Sequence, residues 1–292
     1  MIETTLIAQV IMNGLIAGGI LALVSIGYNL IYGVLRFINF AHGEVVSVSA
    51  FCMFFFLEQH IPLLPAAIAT IVFTALVGLA INQFVYKPLR NAPPLSILVG
   101  AIAVSLILQA VLLILFSGNA HMVKNPFPSE SIDIFGARVT QVQLAIIVLS
   151  FVCVIVTERF LAVTKIGKQI RATADNPELA KTIGIDTERV IAITFIIASS
   201  LAAVAGIMIS FEQPINFVMG VNLGIQAFAA SVIGGIGSIY GSFIGGYLLG
   251  LVENLGILFI PSGYKDAIGF TLLILFLIAR PNGILNTTVR TI

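Results

Sequence analysis

Nine stretches of mostly apolar residues follow one another along this chain, and they constrain its fold more than any other feature. They lie at about 6–32, 41–57, 62–85, 95–117, 142–160, 190–211, 222–236, 241–260 and 265–280. A helix needs roughly 20 apolar residues to cross the hydrocarbon core of a bilayer, and it satisfies its own backbone hydrogen bonds there. The pattern therefore predicts an all-α, polytopic integral membrane protein.

The seventh stretch, at 222–236, leaves the number of crossings open because it is short and ends in glycines. It forms either a full span or a broken, re-entrant helix buried in protein. We therefore expect eight or nine transmembrane helices in one membrane domain over residues 1–292. The composition agrees, because 59% of the residues are hydrophobic and 9% are charged, whereas a soluble domain has about 25% charged residues.

The basic residues predict the orientation of the chain. If the N-terminus is outside, the loops that face the cytoplasm hold eleven of the 14 lysines and arginines, and the outer loops hold only Lys124, Arg138 and Lys265. Lysine and arginine are retained on the cytoplasmic side during insertion. The N-terminus is therefore predicted outside and the C-terminus inside. The long polar loop at about 118–141 is then periplasmic, with a hairpin expected at its FGAR turn.

The cytoplasmic loop at about 161–189 carries unusually explicit helix signals. Asp175 and Asn176 are good N-cap residues, Pro177 suits the first helical position, and Glu178 complements the helix dipole. Gly184 is placed to end the helix. These residues predict a short helix at about 177–183, preceded by a second helix over KIGKQIRATA.

This polar unit has two interpretations. A basic amphipathic segment can simply lie on anionic lipid headgroups. However, a lipid-surface helix does not need a proline start, a glycine stop and interleaved acidic residues. Docking to a cytoplasmic partner is therefore the favoured interpretation.

A late glycine-rich block has the four-residue spacing that lets helix backbones approach closely in lipid. The repeated glycines are Gly237, Gly241 and Gly245, together with Gly246 and Gly250. Close helix packing explains them. A second interpretation adds that the break in GGIGSIYG, with Gly235 and Gly237, lines a transport pathway, as broken helices do in many transporters.

Few ionisable groups fall inside the apolar stretches. Glu44 lies near the start of the second stretch and Glu253 lies in the eighth. A charge at the middle of a membrane costs roughly 2.5–3.5 kcal/mol on insertion scales, so such residues face polar partners. Glu44 either has a purely structural role at the cytoplasmic edge, paired with Arg36 or accepting hydrogen bonds at a helix start, or lies with Asn39 and His42 on a pathway or its inner gate. The predicted orientation favours the structural role.

Several kinds of chemistry find no support in the sequence. Cys52 and Cys153 lie in apolar runs, so neither a disulfide nor a metal site is predicted. No G-x-x-x-x-G-K-[ST] stretch is present to hold ATP phosphates. A net charge of +1 gives no reason to expect nucleic acid. We expect no enzymatic activity and no cofactor in this chain.

Three blocks together resemble the permease subunits of high-affinity branched-chain amino acid ABC transporters. They are YNLIYGVLRFINFAHGE, GKQIRATADNPELAKTIGIDTERVIAITF and AFAASVIGGIGSIYGSFIGGYLLGLVE. They occur in the family's order, with fitting intervals, so the resemblance covers nearly the whole chain.

The resemblance implies a multi-pass subunit of a bacterial inner-membrane importer that moves branched-chain amino acids by ATP-driven alternating access. Implied partners are a second homologous permease, two cytoplasmic ATPase subunits that bind ATP-Mg, a periplasmic substrate-binding protein and membrane lipid. The helix within 175–186 would couple to the ATPase through Asp175, Asn176, Pro177, Glu178, Lys181, Ile183 and Gly184. Candidates for the pathway or gate are Asn39, His42, Glu44, Gly235, Gly237 and Glu253.

Three alternatives remain at the level of sequence. A related ABC importer for urea, short amides or another small solute would share the same blocks. A secondary transporter or channel would usually need ion-coupling carboxylates deep in several spans, and only Glu253 is placed to be one. A non-transport scaffold is supported only by the general hydrophobicity of the chain.

Overall fold

The structure, a computed structural model, describes residues 2–123 and 131–285, with side chains from residue 5 onward. The helices are α1 (Ile2–Leu35), α2 (His42–Glu58), α3 (Leu63–Ile81), α4 (Lys87–Leu89), α5 (Pro94–Phe116), α6 (Gln141–Val163), α7 (Lys165–Asp175), α8 (Pro177–Thr182), α9 (Thr187–Glu212), α10 (Met219–Gly234), α11 (Ile239–Gly256) and α12 (Lys265–Ala279). A π-helical turn (Asn82–Tyr86) joins α3 to α4, and a 3₁₀ turn (Ser262–Tyr264) precedes α12. Strands β1 (Ser131–Ile134) and β2 (Ala137–Thr140) pair antiparallel.

Each of the nine predicted apolar stretches forms a helix, so the helical class is confirmed. Among the described residues, six helices are long and apolar enough to cross a membrane. The pair α10–α11, bent by 117° at its break, would be a seventh. The sequence predicts eight or nine spans. The difference arises partly because α2 has only 17 residues and α10 only 16.

Helix α1 runs through the middle of the bundle and packs against α6, α9, α10 and α11. Its contact with α11 depends on small residues. A Cβ added at Gly250 would collide with the backbone of Gly18, and one added at Gly246 would meet Ala22. The close packing predicted from the glycine spacing is therefore confirmed.

The outer helices α3, α5, α6 and α12 expose large apolar side chains. Ile114 on α5, for example, is 81% exposed, and Ile278 on α12 is similarly bare. Contiguous apolar surface of this extent is unfavourable in water. It fits a surface that faces lipid or another membrane subunit.

The two long polar loops lie at opposite ends of α1. At its N-terminal end, the side chain of Gln9 accepts a hydrogen bond from the Arg138 amide at 2.8 Å and donates to the Arg138 carbonyl at 3.2 Å. At its C-terminal end, Arg36 donates to the carbonyl of Ala174 on α7 at 2.7 Å. The predicted hairpin is confirmed, with Phe135 and Gly136 at positive φ in its turn. Residues 124–130 of that loop lie outside the described residues.

Candidate functional site

The short helix α8 is held at both ends by the residues that predict it. The Asn176 side chain accepts hydrogen bonds from the amides of Glu178 and Leu179 at 3.0 and 3.1 Å. Gly184 adopts a φ of 84°, a conformation that favours glycine. Its amide donates to the Lys181 carbonyl at 3.0 Å, which closes the helix. The predicted limits of this helix are confirmed.

The outer surface of α8 is exposed in the part of the chain that the structure describes. All seven predicted coupling residues are exposed: Asp175, Asn176, Pro177, Glu178, Lys181, Ile183 and Gly184. Two large apolar side chains accompany them, because Leu179 is 63% exposed and Ile183 is 74% exposed. Only Ala180 of this helix turns inward. An apolar patch on a polar projection is typical of a protein interaction site.

The unit of α7 and α8 is firmly tied to the helices of the bundle. Asp186 accepts hydrogen bonds from the amides of Glu188 and Arg189 at 3.1 Å and caps α9, which begins at Thr187, three residues after Gly184. Glu188 forms an ion pair with Lys87 of α4 at 2.9 Å. These contacts connect α8 with the start of α9 and, through the ion pair, with α4.

The break between α10 and α11 is organised by one buried amide, that of Asn29 on α1. Its Oδ1 accepts a hydrogen bond from the Gly237 amide at 2.7 Å, and its Nδ2 donates to the Ser238 carbonyl at 2.9 Å and to the Ser242 hydroxyl. The Gly237 amide is thus already satisfied. Gly235 has a φ of 111° and packs against the Leu285 carbonyl. Gly237 and Ser238 line a cavity of about 350 Å³ at the α7 end of the bundle.

Glu44 is fully buried, and its partners come from a helix far away in the sequence. Its Oε1 accepts hydrogen bonds from Ser105 at 3.2 Å and from Gln109 at 2.9 Å, both on α5. Its Oε2 has no hydrogen-bond partner among the described residues, and neither has the buried hydroxyl of Ser47. The backbone of Gly220 on α10 covers this oxygen.

The sequence-based position of this motif is wrong in two respects. Arg36 does not pair with Glu44, since it contacts α7 instead. The motif also does not lie at the edge of the bundle. A positive φ at Arg36 reverses the chain, and the fully buried His42 packs against Gly27, about 13 Å back along α1 at 1.5 Å per residue. Asn39 accepts bonds from the Ala41 amide at 3.1 Å and from the Tyr86 hydroxyl at 2.5 Å.

Glu253 lies at the other end of the bundle from α8. It borders a cavity of about 300 Å³ between α1, α10, α11 and the start of α12. Its side chain is buried, with a relative exposure of 1%. Lys265 and Asp266 also border this cavity. Asp266 accepts a hydrogen bond from Gln226 at 2.8 Å.

The structure brings some predicted residues together and keeps others apart. Asn39, His42 and Glu44 share the interior near α2, whereas Gly235 and Gly237 lie at the break and Glu253 lies in the opposite cavity. The sequence analysis missed Asn29, Ser105 and Gln109, since polar residues within spans usually hydrogen-bond to neighbouring helices without further significance. Leu179 was also missed, although its spacing of four residues from Ile183 places both on one helix face.

Comparison with known proteins gives a consistent result along the chain. The family model described as "Branched-chain amino acid transport system / permease component" matches residues 10–277. The high-affinity branched-chain amino acid transport system permease protein LivH of Salmonella typhimurium is 36% identical over an alignment of 292 positions, which covers 95% of each chain. The permease protein BraD of Pseudomonas aeruginosa is 35% identical with the same coverage.

The fold also resembles that of solved transporters. A metal-chelate type ABC transporter in an inward-facing conformation aligns with a TM-score of 0.52, over 93% of this chain and 87% of that one. The sequence identity is 18%, so this likeness concerns the fold alone.

Proposed function

Because the chain belongs to the branched-chain amino acid transport system permease component family, we propose that it is the membrane subunit through which an ABC importer moves branched-chain amino acids into the cytoplasm. The observation that carries this proposal is the match to the family over residues 10–277, with relatives at 35–36% identity over 95% of the chain. The chain itself would supply the pathway, and separate ATPase subunits would supply the energy.

The coupling site for the ATPase is proposed to be α8. Three features support this assignment: its capped ends, its exposed Leu179 and Ile183, and its direct continuation into the buried helix α9. The exposed apolar pair would enter a groove on the ATPase, with Glu178 and Lys181 at the rim. A six-residue helix that is fixed at both ends has little freedom to bend, so it would pass a movement of the ATPase on to α9.

The motion of α8 would reach the bundle by three connections. Arg36 ties α7 to the end of α1, the Asp186 cap joins α8 to α9, and the ion pair of Lys87 with Glu188 ties α9 to α4. Closure of the two ATPases on ATP would thus tilt α1 and α9 together, and the cavity between the permeases would change the side to which it opens.

The remaining partners follow from the surface and the family. The exposed apolar faces of α5 and α12 suit lipid and a second, homologous permease. The hairpin end would face the periplasm and receive the substrate-binding protein, so that the N-terminus is outside, the C-terminus is inside and the membrane is the bacterial inner membrane. In this arrangement α2, α10 and α11 lie within the membrane and complete the set of eight or nine embedded helices.

The residues of the interior would control passage. Glu44 lies where α2, α5 and α10 meet, so relative movement of these helices would change its hydrogen bonds. Asn39 and His42 would hold the start of α2 in place, and Gly235 and Gly237 would let the chain turn sharply between α10 and α11. Glu253 is assigned to the outer part of the pathway.

The test is ATP-driven uptake by the reconstituted complex. The chain would be co-expressed with the products of neighbouring genes and placed in proteoliposomes. Uptake of leucine, isoleucine, valine and urea would then be measured with and without the binding protein and with and without ATP. We expect uptake of the three amino acids only when both ATP and the binding protein are present.

Two results would contradict the proposal. Uptake that is independent of ATP would exclude an ABC importer. Uptake of urea without any amino acid would favour the related importer for small amides instead.

A further inference from the structure

We propose that the cavity beside Glu253 is a binding site for a free α-amino acid within this single chain, with Glu253 receiving the ammonium group and Lys265 the carboxylate. The inference rests on the proposed function and names where the transported molecule first binds in the permease. The cavity lies at the hairpin end of α1, because Glu253 is on the part of α11 that packs against Gly14 and Gly18.

The first argument is that Glu253 is buried and incompletely hydrogen-bonded. Its side chain is 1% exposed and borders the cavity, and its Oε1, which packs against Gly269 of α12, has no hydrogen-bond partner among the described residues. A buried carboxylate oxygen without a donor is costly, because it has lost the hydrogen bonds that water would give it. A primary ammonium in the cavity would bring three donors and a positive charge beside this carboxylate, and so would offset part of that cost.

The second argument is the charge around the cavity. Glu253 and Asp266 contribute two carboxylates and Lys265 one ammonium, which leaves one negative charge in excess. Lys265 forms no ion pair with any carboxylate among the described residues. A zwitterion can therefore place its ammonium at Glu253 and its carboxylate at Lys265, so that each of the two side chains gains a direct contact with a group of opposite charge.

The third argument is the shape and polarity of the walls. The cavity measures about 300 Å³, which is the lower end of the range for small-molecule sites. On the side of α1 and α10 it is closed by four buried apolar side chains, Ile20, Leu21, Met219 and Leu223. An aliphatic side chain would lie against them, and the hydrophobic effect would favour it over a polar one.

The polar rim of the cavity is partly fixed in advance. Gln226 donates to Asp266 at 2.8 Å, which holds that carboxylate beside the opening. Gln213, Asn216 and Asn222 add amide groups to the lining. These polar groups can form hydrogen bonds with an entering zwitterion, and these bonds replace the ones that the zwitterion loses when its hydrating water leaves.

The test uses the complete complex with its ATPases, without the binding protein, and a diazirine analogue of leucine as a photoreactive probe. Labelled peptides are identified by mass spectrometry. We expect labelling within α10 and α11, competed by leucine and by leucinamide, which keeps the ammonium group. 4-Methylpentanoate, which lacks that group, should not compete.

Two variants assign the charged groups. Glu253→Gln should lower the labelling about tenfold or more, since an ammonium loses its ionic partner. Lys265→Gln should weaken competition by leucine and leave competition by leucinamide unchanged. The matched control is Glu212→Gln, because Glu212 is partly buried at the same end but does not border the cavity and bonds to Gln143 at 2.8 Å. It should behave as the wild type.

The outcomes separate this inference from the proposed function. ATP-driven leucine uptake is measured on the same wild-type preparation, with the binding protein added back, and its absence would contradict the proposed function. If uptake occurs, the inference is overturned by three results: labelling absent from α10 and α11, equal labelling in wild type and both variants, or competition by 4-methylpentanoate equal to that by leucine. If Glu253→Gln fails to fold, Lys265→Gln, at a half-buried position, still decides the question.

Discussion

Glu44 shows how one buried side chain can join three helices of a membrane bundle. Its carboxylate receives two hydrogen bonds from α5, and its second oxygen lies against the backbone of α10. Donors on a neighbouring helix lose a partner if the acceptor disappears, whereas an amide of the same shape retains an acceptor oxygen.

Replacement of this side chain should therefore depend strongly on what replaces it. We expect Glu44→Ala to lower the free energy of unfolding by about 2–4 kcal/mol, because Ser105 and Gln109 lose their acceptor and a cavity remains. Glu44→Gln should cost less than about 1 kcal/mol. Denaturant or thermal unfolding of the purified protein in detergent measures both.

Ser47→Ala is the matched control, because the Ser47 hydroxyl is buried without a partner among the described residues, and its loss should be neutral. Equal stability of Glu44→Ala and wild type would contradict the structural role. Uptake by the Glu44→Gln variant then tests the role of Glu44 in the pathway. If this variant transports as fast as the wild type, the role of Glu44 is only structural.

The sequence pointed to Glu44 but not to its partners. A charged side chain inside a membrane is costly, so a glutamate within an apolar stretch can be recognised as important from the sequence alone. Its donors lie 61 and 65 positions later in the chain, and nothing local connects them. Arg36 was the nearest opposite charge, but a reversal of the backbone at that residue sends its side chain towards α7.

At the scale of elements, the contact of α1 with α11 depends on the absence of side chains. We expect Gly250→Ala to reduce the thermal stability of the protein markedly, because the added Cβ would collide with the backbone of Gly18 and the helices would have to separate. Gly33→Ala is the control on α1, since nothing lies within 4 Å of its Cβ position.

The control should be neutral or slightly stabilising, because alanine favours helix by about 1 kcal/mol over glycine. Thermal unfolding in detergent compares the two variants directly. Similar melting temperatures for Gly250→Ala and Gly33→Ala would be incompatible with close packing at this crossing.

The coupling helix gives a second prediction at this scale. Reversal of charge in Glu178→Lys and Lys181→Glu, or loss of the apolar pair in Leu179→Asp with Ile183→Asp, should reduce co-purification of the ATPase severalfold. Membrane insertion and thermal stability should not change, because all four side chains are exposed. Retention of the ATPase on the affinity-tagged permease is the measurement.

Lys168→Glu provides the charge-matched control, because Lys168 is exposed on α7 rather than α8. It should keep the ATPase bound. If the α8 variants retain the ATPase as well as this control does, the assignment of the coupling site is wrong.

Helix α8 was predictable almost to the residue because its signals are local. Asn176, Pro177 and Gly184 each act through the geometry of the adjacent backbone, and that geometry follows from residue type. The start of α2 was not predictable in this way. Its depth in the bundle depends on His42 packing against Gly27, which is a tertiary contact.

At the scale of the whole molecule, the orientation can be tested through the two polar ends. In a variant with Cys52→Ala and Cys153→Ala, a single cysteine is introduced as Phe135→Cys at the hairpin tip or as Ile183→Cys at α8. Both positions are highly exposed. We expect an impermeant maleimide to label the first in intact spheroplasts and the second only after permeabilisation. The reverse pattern would invert the predicted topology.

The sequence predicted which stretches become helices but not how each one sits in the membrane. Helices α1, α9 and α12 are candidate spans by their apolar composition and by their length. For α10 and α11 the answer depends on a turn held by Asn29, and no property of the glycine-rich block itself encodes that partner.

Helix α1, with 34 residues, is about 51 Å long at 1.5 Å per residue, and it is bonded to the hairpin at one end and to α7 at the other. A continuous helix of this kind behaves as a stiff rod that is embedded in close contacts over most of its length. In the proposed arrangement, a substrate-binding protein that docks on the hairpin would change the angle of α1, and with it the position of α7 beside the ATPase, before any substrate has moved. The ATPases would thus respond to the presence of the substrate-binding protein on the hairpin. ATP would then be hydrolysed only when that protein is docked.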